Sequence, residues 1–176
     1  TLAFEILSSP KLKLNEKIKI NLIQKLSECS GHLGIAGGQY LDLSYEKKKI
    51  SRNKILEMEI KKTGMLFSFC CAAPAIIKKK TIQEIKFFEN IGSKIGLLFQ
   101  IADDLIDLKS KSKEAGKKTG KDQKKGKATL INLIGYDDSV KYCDKIIEDI
   151  NKNLTKYGSR SKKINETLDY ILNRKK

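Results

Sequence analysis

The feature that most limits the fold of this chain is a helical spacing of apolar residues that continues along nearly its whole length. Between residues 81 and 108 there is no proline, and apolar side chains recur every three or four positions, as on one face of an α-helix. The same spacing predicts further helices at residues 15–29, 51–73, 138–157 and 161–173. Because the alternation typical of strands is absent, we predict an all-α fold, and 176 residues suit a single domain.

Two features should interrupt these helices. Pro74 lacks a backbone N–H, so it should end or kink the helix that begins near residue 51. Residues 109–127 are polar, rich in lysine and contain three glycines, which predicts an exposed loop. The longest apolar stretch, residues 65–77, is shorter than the roughly 20 residues that span a bilayer, so no transmembrane segment is expected.

The chain is strongly basic, with 36 Lys and Arg against 21 Asp and Glu and a formal net charge of +15. This excess favours an anionic partner such as a nucleic acid, an acidic lipid or a diphosphate, unless it is a general lysine bias of a solvated surface. Arginine, which suits bidentate recognition of phosphates and bases, occurs only at Arg52, Arg160 and Arg174. The four cysteines show no CxxC spacing and stand among apolar residues, so we expect buried free thiols in a reducing cytoplasm.

Three carboxylates close the longest predicted helix. Asp103, Asp104 and Asp107 are separated by three and four positions, which places them on one side of the helix. Like charges at this spacing, near the negative end of the helix dipole, call for a compensating cation. A group of oxygen ligands without His or Cys favours Mg²⁺ over Zn²⁺, and the alternative is a solvated acidic helix end.

The segment GKKTGKDQKKGK at residues 116–127 follows the acidic cluster directly. Its lysines, which include Lys117 and Lys127, could surround a diphosphate from the side opposite a bound Mg²⁺. Taken alone, the segment is more typical of a solvated loop. A Walker-type phosphate loop is excluded, because no strand precedes the segment and its glycines lack the required spacing.

Polar residues also occur inside three otherwise apolar helices. Gln39 and Asp42 lie in GGQYLDL, Lys62 and Thr63 lie in KKTGMLF, and Gln100 lies one turn before the aspartates. Each could be a polar group satisfied within its own helix. Together with the acidic cluster they indicate one shared site.

Five motifs in this order carry a family resemblance: GGQxxDL (37–43), KTG (62–64), FQIADDLID (99–107), GKxxGxD (116–122) and GKxTL (126–130). The series closely resembles the trans-isoprenyl diphosphate synthases, the polyprenyl synthetase family, and most of all the short-chain bacterial farnesyl or geranylgeranyl enzymes. The resemblance implies an antiparallel all-α bundle around a large central cavity, of which residues 1–176 would be the C-terminal part.

The resemblance also implies a reaction. A cytoplasmic homodimer would condense an allylic diphosphate, such as dimethylallyl or geranyl diphosphate, with isopentenyl diphosphate by Mg²⁺-assisted ionisation. Asp103 would be a direct Mg²⁺ ligand, and Asp104 and Asp107 would bind the metal directly or through water. No histidine base is required, which agrees with a chain whose single histidine, His32, lies outside every motif.

The remaining roles follow from the resemblance position by position. Lys62, Lys117 and Lys127 would neutralise the allylic diphosphate. Thr63 and Gln100 would lie near the reacting carbon and stabilise its developing positive charge, as fixed oxygen dipoles can.

Gln39 and Asp42 would order the helix behind the site.

The family's first aspartate-rich motif should precede the opening TLAF and is not found in residues 1–176. We therefore expect N-terminal helices to be missing and this chain alone to be inactive. The alternative functions are a non-catalytic partner subunit or truncated relic of the same fold and, thirdly, a nucleic-acid binder with steeply salt-dependent affinity, although no nucleic-acid partner is expected.

Overall fold

The computed structural model describes residues 1–114 and 128–174, and the side chains of residues 1–109 and 128–174. The predicted all-α fold is confirmed, since this part of the chain contains helices and no strand. The α-helices are α1 (Leu2–Ser8), α2 (Glu16–Ser30), α3 (Ile35–Ser44), α4 (Arg52–Glu59), α5 (Met65–Ile77), α6 (Ile82–Glu114), α7 (Leu130–Ile134), α8 (Tyr136–Leu154) and α9 (Lys162–Asn173). The π-helix Ile60–Gly64 joins α4 to α5, and the 3-10 helix Thr155–Ser161 joins α8 to α9.

Helix α6 is the axis of the bundle. It contacts α4, α5, the π-helix, α7, α8 and α9, and its most extensive contact is with α5. The short connection at residues 78–81 turns the chain back, so that α5 and α6 pack as antiparallel neighbours. The apolar face of α6 supplies much of the core, including Ile91, Ile95, Leu98 and Ile101, each at most 4 % exposed.

Glycines let three of these elements approach backbone to backbone. A Cβ atom on Gly38 in α3 would lie 2.2 Å from the backbone nitrogen of Lys62 in the π-helix. A Cβ atom on Gly96 in α6 would lie 2.6 Å from the Cα atom of Gly64. Because side chains would not fit at these contacts, the glycines bring α3, the π-helix and α6 into one unit.

Two predicted boundaries are wrong. The helix that contains Pro74 does not end there but continues to Ile77, so of the two expected outcomes only a kink stays a prediction. A proline in the last turns removes only one helical hydrogen bond, and the buried Ser68, Ala72 and Ala75 hold α5 in the fold. Helix α6 extends to Glu114, so residues 109–114 are helical rather than loop, because no glycine or proline occurs before Gly116. The rest of the predicted loop lies outside the described residues.

The prediction of buried thiols holds only in part. Cys29 and Cys143 are buried and Cys71 is partly buried, but Cys70 is exposed. Burial raises the pKa of Cys143 to about 12 and that of Cys71 to about 11, so both are protonated thiols at neutral pH.

The absence of a membrane span stays a prediction. The continuous helical stretch Arg52–Ile77 has 26 residues and is long and apolar enough to cross a membrane by length and composition. The core helix of a soluble protein meets the same criterion. Four of its residues, Ile55, Met58, Ala72 and Ala75, belong to the buried core of the bundle.

Candidate functional site

The π-helix carries two of the predicted site residues, Lys62 and Thr63. A π-helix inserts one extra residue into a turn and often occurs at functional sites. Here it lies between α3, which contacts it through Gly38, and α6, which contacts it through Gly96. The sequence analysis predicted one continuous helix at this point, because a π-turn leaves no distinct spacing of apolar residues.

Lys62 and Asp42 form an ion pair in the half-buried space between α3 and the π-helix. The Lys62 Nζ atom lies 2.6 Å from the Asp42 Oδ2 atom, and the side chains are 28 % and 15 % exposed. This contact brings together residues from two of the predicted motifs. Gln39, one turn earlier in α3, is exposed, so the two residues predicted to lie behind the site differ in their surroundings.

Thr63, Gln100 and Asp104 form a chain of hydrogen bonds from the π-helix to α6. The Thr63 hydroxyl donates to Gln100 Oε1 at 2.9 Å, and Gln100 Nε2 donates to Asp104 Oδ1 at 3.2 Å. An ionised carboxylate only accepts hydrogen bonds, so Asp104 fixes the orientation of the Gln100 amide. The Gln100 carbonyl oxygen therefore faces Thr63.

Asp103 faces a different part of the fold. Arg174, at the end of α9, donates from Nη2 to Asp103 Oδ1 at 3.0 Å and to the carbonyl oxygen of Phe99 at 3.3 Å. Its guanidinium also stacks over the Phe99 ring at 3.8 Å from the centroid. Arg174 could not be predicted as a site residue, because a basic residue within RKK gives no sign of a specific partner in the sequence.

The three aspartates are not drawn into one compact metal-binding group. Among the described residues, no group of three His, Cys, Asp or Glu side chains could by itself hold a metal ion. The reason is that consecutive helix positions point about 100° apart, so Asp103 turns to Arg174 while Asp104 turns to Gln100. Asp107 is partly buried one turn further on.

Their chemistry nevertheless fits Mg²⁺. The donor set consists of carboxylate oxygens, and Mg²⁺ is usually held by one or two carboxylates, with substrate phosphates and water completing its shell. A cage of three protein ligands is therefore not required. The predicted diphosphate-binding residues Lys117 and Lys127 lie outside the described residues.

Glu59 is a buried acid beside this site that the sequence analysis missed. It is 2 % exposed, and its pKa is raised to about 8, chiefly by burial and then by the negative charge of Asp104. Glu59 Oε1 accepts a long hydrogen bond of 3.4 Å from the Leu130 N–H. A signal was present, since Glu59 is four positions after Ile55 and next to Met58, on the face of α4 that the apolar spacing assigns to the core.

Two surface pockets lie beside this network rather than at it. One of about 330 Å³ is lined by residues of the loop before α3, of α3 and of the π-helix, including His32, Tyr40 and Lys61. The other, of about 690 Å³, lies between α2, the end of α5 and the start of α6. Neither of these two pockets is lined by Thr63, Gln100 or an aspartate, and the candidate site is defined by its hydrogen bonds.

Comparison with known proteins gives a consistent result. The family model for polyprenyl synthetases matches residues 1–171. The chain is 34 % identical over 167 residues to a farnesyl diphosphate synthase of Micrococcus luteus, an alignment that covers 93 % of this chain and 56 % of the relative.

Solved structures agree with the sequence comparison. The apo structure of an FPP/GFPP synthase from Zymomonas mobilis matches with a TM-score of 0.81 and 32 % identity, over 97 % of this chain and 56 % of that one. A geranyltransferase from Helicobacter pylori, solved with magnesium and isoprenyl diphosphate, matches with a TM-score of 0.76 and 28 % identity, over 98 % of this chain and 56 % of that one. The chain thus spans a little over half the length of these proteins.

Proposed function

The chain belongs to the polyprenyl synthetase family, and from that premise we propose that it is part of a short-chain isoprenyl diphosphate synthase. Such an enzyme joins an allylic diphosphate to isopentenyl diphosphate. The observation that carries the proposal is that two neighbouring residues of the π-helix join three separate motifs. Lys62 pairs with Asp42, and Thr63 bonds to Gln100, which in turn bonds to Asp104. We also propose that residues 1–176 belong to one all-α domain and that the protein forms a homodimer.

Lys62 would bind the allylic diphosphate. Its ammonium group has three N–H donors, so it can keep its hydrogen bond to Asp42 and still donate to a phosphate oxygen. The fixed positive charge would stabilise the negative charge that grows on the diphosphate as the carbon–oxygen bond breaks. Asp42 would hold the ammonium group in place before the substrate arrives.

Thr63 and Gln100 would face the positive charge that develops on the allylic carbon. The Thr63 hydroxyl hydrogen is committed to Gln100 Oε1, which leaves the lone pairs of the Thr63 oxygen free to point at a cation. Because Asp104 holds the amide of Gln100, both oxygens are oriented before the reaction and need not reorganise during it.

Asp103, Asp104 and Asp107 are the residues that would hold Mg²⁺. When bound, the metal would offset the negative charge of the diphosphate group. Asp103 is paired with Arg174, so a metal ligand at Asp103 would have to share its carboxylate with the guanidinium or take its place. Asp104 would connect the metal to the Gln100–Thr63 chain.

The test is binding of inorganic diphosphate to the chain with and without Mg²⁺, measured by isothermal titration calorimetry. We expect Mg²⁺-dependent binding that weakens at least tenfold, about 1.4 kcal/mol, in Asp103→Asn and Asp104→Asn. Asp144→Asn is the matched control, because Asp144 is an exposed aspartate on α8. Equal affinity in all four proteins would refute the proposal.

Further measurements separate the alternatives. Condensation of an allylic diphosphate with isopentenyl diphosphate by the protein supports an enzyme. Because we expect residues 1–176 alone to be inactive, this assay uses the whole protein to which the chain belongs, and diphosphate binding without condensation there supports a non-catalytic partner subunit or a relic. DNA binding that falls steeply with salt and ignores diphosphate supports a nucleic-acid binder. Sedimentation equilibrium tests the homodimer.

A further inference from the structure

Glu59 has a position that the proposed reaction does not explain. It is the last residue of α4, directly before the π-helix, and it is 2 % exposed. One carboxyl oxygen accepts from the Leu130 N–H, and the other has no hydrogen-bond partner among the described residues. A buried polar group that is only partly hydrogen-bonded lowers the stability of a fold, and a leucine of comparable size would avoid that loss.

The hydrogen bond to Leu130 joins two parts of the chain that are 71 residues apart. Leu130 is the first residue of α7 and is fully buried. Thr129, immediately before it, caps α7 by accepting from the Asn132 N–H at 3.3 Å. The Glu59 carboxyl thus ties a well-defined helix start to the residue that precedes the π-helix.

The π-helix needs support from its neighbours, because π-helical turns are rare and occur mostly as single-turn insertions within α-helices. Gly38 supports it from α3, and Gly96 supports it from α6. Glu59 adds a third contact, to α7. If the π-helix relaxed to an α-helical turn, the register would change by one residue and the side chains of Lys62 and Thr63 would rotate by about 100°.

We infer that Glu59 is a positioning residue for the proposed site: its carboxyl joins the start of α7 to the π-helix and thereby fixes where Lys62 and Thr63 lie. The charges around it agree with this placement, since Asp104, Asp42 and Lys62 all act on Glu59 electrostatically. The effect on diphosphate binding rests on the proposed function. The effect on the position of the π-helix does not.

Two substitutions separate the hydrogen bond from the volume of the side chain. Glu59→Gln keeps an acceptor for the Leu130 N–H, whereas Glu59→Leu removes it and keeps an apolar side chain of comparable size. Ser161→Ala is the control for losing a buried hydrogen bond elsewhere, since the Ser161 hydroxyl donates to the Gly158 carbonyl oxygen at 2.8 Å. All variants are made in the full chain, and melting temperatures are recorded alongside.

The first readout is backbone hydrogen exchange of the unliganded protein. We expect faster exchange in Glu59→Leu at both Ile60–Gly64 and Leu130–Ile134, with exchange in Glu59→Gln close to that of the unchanged protein. Faster exchange at Leu130–Ile134 alone would overturn the inference, because Glu59 would then support α7 and not the π-helix. Equally fast exchange in both Glu59 variants would also overturn it, because the retained acceptor would have no effect.

The second readout is the affinity for inorganic diphosphate in the presence of Mg²⁺. We expect Glu59→Leu to bind about tenfold more weakly at an equal or higher melting temperature, and Glu59→Gln and Ser161→Ala to bind within about twofold of the unchanged protein. Unchanged affinity in Glu59→Leu would overturn the inference. If the unchanged protein binds no diphosphate, the proposed function fails, and hydrogen exchange alone decides the role of Glu59.

Discussion

The ionisation of Glu59 should make the stability of this protein fall as the pH rises. The ordinary pKa of a glutamate here is 4.5, and burial raises it to about 8 in the folded chain. Between these two values the folded state holds a proton that the unfolded state has released. A state that binds more protons is favoured at low pH, so the free energy of unfolding decreases with rising pH over this interval and levels off above pH 8.

The size of the effect follows from the same two values. Each pKa unit corresponds to about 1.4 kcal/mol, so the difference between 4.5 and about 8 amounts to about 5 kcal/mol. Between pH 5 and pH 7 the expected loss is about 3 kcal/mol. This is a large part of the roughly 5–15 kcal/mol that stabilises an ordinary domain.

The measurement compares the unchanged protein with Glu59→Gln in urea denaturation at pH 5, 6, 7, 8 and 9. Glutamine is neutral throughout, so the other titrating groups cancel in the difference between the two free energies of unfolding. We expect the free energy of unfolding of the unchanged protein to fall relative to that of Glu59→Gln from pH 5 to pH 8. Above pH 8 the difference should stay constant. Parallel curves across the whole range would refute the assignment of Glu59 as a neutral buried acid.

Glu84 provides a control of the opposite sign. A hydrogen bond from Lys80, with 3.0 Å between Lys80 Nζ and Glu84 Oε1, lowers the pKa of Glu84, which lies at the start of α6. Its contribution to stability is present above its ordinary pKa and lost as the pH falls. Relative to Glu84→Gln, the unchanged protein should therefore gain stability as the pH rises toward 4.5, the reverse sign to Glu59, and the difference should stay constant between pH 5 and pH 9.

Three further predictions test the contacts of the site. Lys62→Met should weaken Mg²⁺-dependent binding of inorganic diphosphate at least tenfold in calorimetry, because the ammonium donor is lost, and an unchanged affinity would contradict the role given to it. Gly38→Ala should cost about 1–3 kcal/mol in urea denaturation, because its Cβ would lie 2.2 Å from the Lys62 nitrogen. Gly31→Ala, whose Cβ meets only the Ser27 carbonyl oxygen at 3.0 Å, should cost less, and equal losses would contradict the close contact. Arg174→Gln removes the cation that pairs with Asp103. It should lower stability by about 1–3 kcal/mol and tighten Mg²⁺ binding. A weaker Mg²⁺ affinity would count against that pairing.

The helices could be predicted from the sequence wherever one face is apolar and a cap marks the end. Helix α2 is an example: Asn15 accepts from the Lys17 N–H at its start, and Ile18, Leu22 and Leu26 are buried. The helix end near Pro74 could not be predicted, because it depends on tertiary packing rather than on local preference. The end of α6 was readable in part, because no glycine or proline interrupts the helix before Gly116. The π-helix leaves no distinct apolar spacing, and α7, with five residues, is too short for its spacing to indicate a helix.

Part of the site could be predicted because its members are polar residues within apolar helices, and such residues need partners. Lys62, Thr63, Gln100 and Asp42 are predicted in this way, and Asp104 is predicted from the spacing of the acidic cluster. The structure pairs Lys62 with Asp42 and joins Thr63 to Gln100 and Gln100 to Asp104. Their partners in the fold were not all found. Arg174 meets Asp103 only because α9 returns to the end of α6, a contact across 71 positions that no local pattern encodes.

Glu59 shows how the same reasoning could have gone further. A carboxyl on the core face of α4 is as unusual as an amide on the core face of α6, yet Gln100 was noticed because it adjoins a motif and Glu59 was not. In physical terms Glu59 is the more costly of the two, since its carboxyl is almost fully buried while Gln100 is partly exposed. A buried ionisable side chain beside a turn of irregular geometry is therefore a stronger indication of a constrained site than membership of a short motif, because only the former requires a specific structural reason.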